Sequence, residues 1–262
     1  MKVLIYGLPG AGKTYLANEI LDKIGHGRCV HINADEIRKE ADDWDFSEQG
    51  RWRQFRRMLN KANAVSESGK IALVDFVCPF ASGREQFEAD LTIFMGTIQK
   101  GRFEDTNQVF EWPTQFEADL TYYEWDEENT YESIWEISNR IWNDQKPTVQ
   151  MLGRWQPWHD GHQALLTRAL DKTGQVNIQI RDMEYDENNP YCAFQVKENL
   201  ERKLCRFAGQ IKISIVPNIT NITYGRKVGY TIEQEVFSKE IEDISGTKIR
   251  KGLRRESLNN SE

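Results

Sequence analysis

No apolar run in this chain approaches the roughly 20 residues that a membrane-spanning helix needs, so a membrane-embedded class is not expected. The N-terminus enters a strand-like segment at once, which leaves no room for a signal peptide and sets the expectation of a cytoplasmic protein. Basic excess is missing too: 34 Lys and Arg face 41 Asp and Glu, for a formal charge of −7. General nucleic-acid binders carry a net basic footprint, so that class is set aside. The local patches Arg51-Trp52-Arg53 and Lys251 to Arg255 suit small anionic ligands better than a long polyanion. The four cysteines, Cys29, Cys78, Cys192 and Cys205, form no C-x-x-C pair and no zinc-ligand spacing. They read as buried or incidental thiols of a reducing compartment. Internal repeats and low-complexity tracts are also absent.

What remains is a soluble composition, 39% hydrophobic and 29% charged over 262 residues, long enough for two modest domains. Strand-length apolar runs alternate with longer amphipathic stretches, which predicts βαβ units and parallel sheets. The front half reads as strand 2–6, helix 13–24, strand 30–32, helix 49–68 and strand 71–77. Polar residues 100–113 form a candidate lid, and the acidic run 124–129 precedes a helix ending near Trp142. Trp135 and Trp142, seven apart, are expected on one core-facing stripe. Asn143 to Pro147 is the best linker. Beyond it come strand 148–152, helix 161–172, strand 176–180, helix 194–207 and strand 211–216. The expected architecture is α/β in two domains, 1–144 and 148–262.

Two segments carry phosphate chemistry. Gly7-Leu8-Pro9-Gly10-Ala11-Gly12-Lys13-Thr14 follows the first strand and opens the first helix, matching G-x-x-x-x-G-K-[ST] in full. In such a loop, glycines let backbone N–H groups turn toward phosphate oxygens at a helix N-terminus. Lys13 would reach the β- and γ-phosphates, and Thr14 would ligate Mg2+. The loop alone leaves kinase, GTPase and motor ATPase open. Far downstream, His159-Asp160-Gly161-His162 sits behind a strand at a predicted helix start. Both imidazoles and the helix N-terminus can there face the phosphates of a nucleotide as pyrophosphate leaves. A zinc site would want a third ligand, and none is nearby. Ser245-Gly246-Thr247-Lys248-Ile249-Arg250 adds hydroxyls and a guanidinium. Alone it reads equally well as a helix cap.

Around the first loop, Asn33-Ala34-Asp35-Glu36-Ile37-Arg38, then Phe46-Ser47 with Arg51, Gln54, Arg56 and Arg57, then Phe76-Val77-Cys78-Pro79 keep a family's spacing. Residues 1–142 thereby resemble adenylylsulfate kinase. The resemblance implies that Asp35 orients or deprotonates an acceptor hydroxyl, and that Arg38, Arg51 and Gln54 bind the acceptor. The departures are Gln54 for asparagine, Cys78 for serine and Ala81 for arginine, which leave the acceptor open. Residues 148–255 resemble the H-x-G-H nucleotidylyltransferases, a Rossmann-like fold. The wording Gly153-Arg154-Trp155-Gln156-Pro157-Trp158-His159 is closest to the nicotinamide-mononucleotide adenylyltransferase type, with Asn189-Pro190-Tyr191 and Val216-Pro217-Asn218 as further pieces. In place of that type's usual aromatic for the nicotinamide ring, Tyr224 or Tyr230 could stand in. The resemblance implies that Gly153, Arg154, His159, Gly161, His162, Ser245, Thr247 and Arg250 bind the nucleotide. His159, His162 and Arg250 join Lys13 and Asp35 as catalytic groups.

The expected protein is therefore a bifunctional ATP-dependent transferase using Mg2+, with ATP or CTP at the second site. Its expected partners are nucleoside triphosphates and small anionic substrates, with no nucleic acid and no membrane. Homo-oligomerisation is left open. One alternative is pyridine-nucleotide salvage, a riboside kinase feeding an adenylyltransferase. Another is a nucleotide-sensing regulator without catalysis, against which intact Lys13, Thr14, His159, His162 and Arg250 argue.

Overall fold

A computed structural model describes residues 1–223, 225, 226, 229, 231–242, 244, 246, 249 and 250. Ser245, Thr247, Lys248, Tyr224, Tyr230 and the basic stretch 251–255 lie outside the described residues. The chain divides into two compact units, residues 1–141 with 205–208, and residues 142–204 with 209–262.

The first unit runs β1 (Lys2–Tyr6), α1 (Lys13–Ile24), β2 (Cys29–Asn33), α2 (Ala34–Glu40), α3 (Glu48–Glu67), β3 (Ile71–Phe76), α4 (Ala81–Phe87), β4 (Leu91–Met95), α5 (Glu104–Val109), β5 (Leu120–Tyr122) and α6 (Glu127–Ile141). Its five strands are all parallel, in the order β2-β3-β1-β4-β5. Central β1 from Val3 to Tyr6 and β3 from Ile71 to Val74 are apolar runs because both faces of a parallel sheet are covered by helices. Their period of two divides the core. Val3, Ile5 and Leu73 pack with Leu16 and Ile20 of α1 and Ile134 and Ile137 of α6. Leu4, Tyr6 and Val74 pack on the opposite face with Phe55 and Met58 of α3 and Phe87 of α4. Each such side chain stabilises the unit by roughly 1.5–3 kcal/mol through burial.

Parallel strands all end on the same edge of the sheet, so the loops after β1, β2 and β3 meet there. The phosphate loop follows β1, Asn33 closes β2, and Asp75 sits one residue from the end of β3.

The second unit contains β6 (Val149–Gly153), α7 (Asp160–Thr173), β7 (Val176–Arg181), α8 (Ala193–Leu204), β8 (Ile211–Val216) and the short α9 (Lys239–Glu242). Its three described strands are parallel, in the order β6-β7-β8, with Val149 opposite Val176 and Val176 opposite Ile211. Both units are thus mixed α/β with parallel sheets.

Two expectations are corrected. The helix expected to run from 194 to 207 ends at Leu204, and a 3-10 turn covers Cys205–Phe207. Trp142 is not on the stripe of Trp135, because α6 stops at Ile141. There the polar segment Asn143 to Pro147 removes apolar contacts and a backbone donor. Trp142 instead donates its indole N–H to Asp144 at 2.8 Å.

Candidate functional site

The loop after β1 takes its shape from glycine. Gly7, Gly10 and Gly12 adopt φ of 146°, 97° and 88°, conformations that side-chain-bearing residues rarely take. A Cβ on Gly7 would stand 2.4 Å from the Met95 carbonyl oxygen. Gly7→Ala should therefore abolish triphosphate binding and lower the thermal midpoint of unit 1, read by calorimetry and nucleotide titration. An undisturbed Tm would show that the loop does not need this close approach.

Lys13, the first residue of α1, is 8% exposed and donates from Nζ to the Leu8 carbonyl at 2.9 Å. Burial pushes its pKa down to about 8, while Asp75 and Asp35 pull it back upward. Thr14 donates its hydroxyl to Asp75 at 2.5 Å. Asp75 is the hub of this edge: His31 Nε2 lies 2.7 Å from its Oδ1, and Asn33 donates its amide at 3.0 and 3.2 Å. Burial alone would raise the Asp75 pKa, yet the hydrogen bonds from His31, Thr14 and Asn33 hold it below the ordinary value. A carboxylate beside a hydroxyl offers the oxygen donors that a triphosphate-bound divalent ion uses, and the lysine next to them would meet phosphate charge. Asp75 was not singled out in the sequence. Its only signal there is one acidic residue in the otherwise apolar run Ile71 to Phe76.

A cavity of about 810 Å³ opens beside the loop. Asn33, not Asp35, caps α2, accepting from the backbone N–H of Asp35 and Glu36. That leaves the exposed Asp35 carboxylate at the cavity wall, close enough to raise the Lys13 pKa. Arg38 and Arg51 also line the cavity, with their guanidinium carbons 4.6 and 5.9 Å from the Phe46 ring centre. Arg38 donates to the Asp43 and Asp45 carbonyls. Arg51 donates to the Phe46 carbonyl and to Asp105 and Thr106 of α5, the last two at 2.7 and 3.1 Å. An incoming anion would compete with Asp105 for the Nη2 of Arg51. The expected lid does supply a wall, through Arg102, Phe103, Asp105 and Thr106.

Gln54 also borders the cavity; it is 3% exposed, its amide donates to the Ala34 carbonyl at 3.0 Å and its oxygen accepts from Arg57.

In the second unit, the turn after β6 folds an aromatic cage onto the start of α7. Trp155 sits at φ 54°, a left-handed conformation uncommon for a bulky residue, and donates its indole N–H to the Gln179 carbonyl at 2.9 Å. A Cβ on Gly153 would lie 2.7 Å from that indole, so glycine permits the fold-back. His162 packs against Trp155 and Trp158, with ring centres 4.9 and 5.4 Å away. His159 is the N-cap of α7 but makes no side-chain capping bond; its ring stacks on His162 at 3.6 Å. The Nδ1 atoms of both are buried without a hydrogen-bond partner.

Burial drives the His162 pKa down to about 3, with His159 adding to the effect, and burial likewise lowers His159. Arg250 reaches this place, donating to the Gln156 carbonyl at 2.5 Å. The Gln156 side chain accepts from the Tyr191 backbone, and Arg154 lies 3.5 Å from Asn189. Asn218 instead accepts from Arg181. Of the expected group, Gly153, Arg154, His159, Gly161, His162 and Arg250 gather at one end of this sheet.

A pH test follows from the buried imidazole. The unfolded chain takes up a proton near the ordinary His value of 6.5, and the folded His162 only near 3. The stabilisation is therefore complete above pH 6.5 and is lost as pH falls toward 3. In acid titrations followed by circular dichroism, His162→Gln should flatten that loss. An unchanged acid profile would show that His162 is not buried neutral.

Residues 1–97 match the family model for adenylylsulphate kinase. A probable adenylyl-sulfate kinase of Archaeoglobus fulgidus is 32% identical over 97 residues, 36% of this chain and 62% of that protein. The bifunctional enzyme NodQ of Rhizobium meliloti is 37% identical over 82 residues, 30% of this chain and 13% of that protein. The aligned stretch spans less than two thirds of both relatives. The solved APS kinase CysC of Mycobacterium tuberculosis, in complex with AMPPNP and APS, aligns over 51% of this chain and 94% of its own. Its identity is 20% and its TM-score 0.41. Residues 1–97 are thus similar to adenylylsulfate kinases.

The matched span contains the phosphate loop, Asp35, Arg38, Arg51, Gln54 and Asp75, and ends shortly after β4. The histidine cluster of the second unit falls outside it.

Proposed function

We propose that the kinase-like unit transfers the γ-phosphoryl group of ATP to a ribose hydroxyl of a small nucleotidyl substrate, and that the second unit is a nucleotidylyltransferase. The observation that carries the first half is the convergence of Lys13, Thr14, Asp75 and Asp35 on one cleft. Asp35 would take the proton as the hydroxyl oxygen attacks the γ-phosphorus, the bond to the bridging β-phosphate oxygen breaks and ADP leaves, and Lys13 would follow the γ-phosphoryl charge. Thr14 and Asp75, hard oxygen donors 2.5 Å apart, fit Mg2+ as its holders. Held by Thr14 and Asp75, Mg2+ would supply charge neutralisation for the triphosphate. Displacement of Asp105 from Arg51 would give the acceptor's anionic group its cation.

The second half rests on the two stacked imidazoles with unpartnered buried Nδ1 atoms and on Arg250, which reaches the Gln156 carbonyl in the turn that leads to them. A buried polar atom without a partner is costly, and a phosphate oxygen would complete it. An acceptor oxygen attacks the α-phosphorus, the bond to the β-phosphate oxygen breaks, and pyrophosphate leaves. His159, His162 and Arg250 would steady the charge on the α-phosphate and on the leaving group. Pyridine-nucleotide salvage stays as the second reading, favoured by Arg154 lying against Asn189, the two pieces that resemble the nicotinamide-mononucleotide type.

Product mass spectrometry decides among these. The intact chain is incubated with ATP or CTP and a panel of small anionic acceptors. A nucleotidyl product that gains a further phosphate supports the two-step reading, whereas NAD from nicotinamide mononucleotide and ATP selects salvage. Absence of both phosphorylated product and pyrophosphate with every acceptor would overturn the enzyme reading in favour of a sensor.

A further inference from the structure

Three side chains converge on Asp75, and two of them have other tasks. Thr14 belongs to the phosphate loop, and Asn33 caps α2 by accepting from the Asp35 and Glu36 N–H groups. His31 does neither. It precedes Asn33 by two residues on β2, so both side chains leave the same face of the strand. The register puts Asn33 opposite Asp75 and His31 opposite Leu73, two residues further back. The imidazole crosses that gap to bring Nε2 to 2.7 Å from Oδ1 of Asp75, and its side chain is only 13% exposed.

The two carboxylate oxygens divide these donors. A carboxylate accepts and does not donate, so the ring nitrogen facing it carries the proton. Oδ1 takes that N–H, and the Asn33 amide at 3.0 Å. Oδ2 takes the Thr14 hydroxyl at 2.5 Å and lies 3.2 Å from the same amide. Because Thr14 gives its single proton to Oδ2, its own oxygen lone pairs are left for other partners, one of them the Asn33 amide at 3.3 Å. Asn33 straddles both oxygens of Asp75 and so does not decide which of them faces Thr14. His31 contacts Oδ1 alone. The terminal torsion of an aspartate is broad and roughly two-fold, so without a donor fixed on one oxygen the carboxylate can turn. β2 is paired with β3 along its whole length, from Cys29 opposite Ile71 to Asn33 opposite Asp75, which gives the imidazole a rigid base.

We propose that His31 is a positioning residue of the metal-nucleotide site: its N–H holds Oδ1 of Asp75 and thereby keeps Oδ2 beside the Thr14 hydroxyl as a paired set of oxygen donors for the divalent ion of the triphosphate. The proposal rests on the reading of Thr14 and Asp75 as the holders of Mg2+. A donor standing behind a metal-binding carboxylate typically governs metal affinity by roughly ten- to a hundredfold.

The test is titration calorimetry of the intact chain with ATP, once in Mg2+ and once in excess chelator. Only the binding that Lys13→Ala removes is counted, which sets aside occupancy of the second unit. His31→Phe keeps a ring but no donor, and should weaken Mg·ATP binding about tenfold while metal-free ATP stays within about twofold. The Mg2+ concentration at half-saturation should rise by a similar factor. His31→Gln restores an N–H donor and should stay within about threefold of the parent. Should the phenylalanine variant lack a cooperative melt, His31→Val gives the same comparison with a smaller strand-forming side chain. Equal weakening with and without metal, or a glutamine variant as weak as the phenylalanine one, would overturn the proposal and make His31 a packing residue. Unaltered Mg·ATP binding in the donor-less variant would overturn it as well. If the parent itself shows no Lys13-dependent binding that Mg2+ strengthens, the metal reading of Thr14 and Asp75 fails and the positioning role falls with it.

Discussion

Lys13→Ala should lower phosphoryl transfer roughly a hundredfold or more, while pyrophosphate release by the second unit stays within about twofold. Lys13 sits at the first position of α1 with its ammonium bonded to Leu8, and the cleft keeps it almost out of water. Burial weakens its hold on its proton, and the nearby carboxylates Asp75 and Asp35 restore part of it. A triphosphate would add several negative charges at the same point, so the bound lysine stays cationic where transfer charge accumulates. Alanine removes that cation and leaves the phosphate charge facing Asp75 and Asp35. Lys13 belongs to the first compact unit and the histidine cluster to the second, which motivates the separation of effects. Coupled assays of both reactions on the folded variant provide the check. Joint loss of the two activities would sink the two-site reading. Asp75→Ala makes a companion case: Thr14, His31 and Asn33 lose their common acceptor, so reduced metal-nucleotide affinity should appear together with reduced stability.

The phosphate loop and α1 were legible in the sequence because motif, glycine spacing and helical periodicity all point to one place. Helix α1 begins and ends at the expected residues, Lys13–Ile24. The strands β1, β3, β6, β7 and β8 were visible as compact apolar runs of five or six residues. β5 was not, since three residues, Leu120–Tyr122, are too few to show a period. Nor were α2 and α4, each seven residues long and carrying the motif residues that held attention. Asp75 escaped because its meaning lies in register. Only when β2 pairs with β3 does Asn33 come opposite Asp75 and His31 come within reach. For Gln54 the place in a family motif was visible in the sequence, but its bond to the Ala34 carbonyl was not. In the second unit, adjacency of His159 and His162 followed from their spacing of three on a helix start. The approach of Arg250 to Gln156 joins residues 94 positions apart and becomes visible only in the folded chain.

His162→Ala should lower nucleotidyl transfer by roughly a hundredfold to a thousandfold and leave the kinase reaction within about twofold. The imidazole is held between Trp155, Trp158 and His159, so its orientation is set before any nucleotide arrives. With a pKa driven to about 3 by burial, it remains neutral across the working range and acts as a fixed hydrogen-bond donor. Alanine removes both the donor and the ring on which His159 stacks, so some of the loss belongs to His159. His162→Gln separates these contributions, because it restores a donor without restoring the stack. Arg250→Ala should reduce transfer as well, since the guanidinium beside Gln156 approaches the same turn from the other end of the unit. Release of pyrophosphate at saturating nucleotide is the measurement, made on variants whose far-ultraviolet spectra match the parent. Near-normal turnover in both His162→Ala and Arg250→Ala would reduce the cluster to two packed histidines at a helix start.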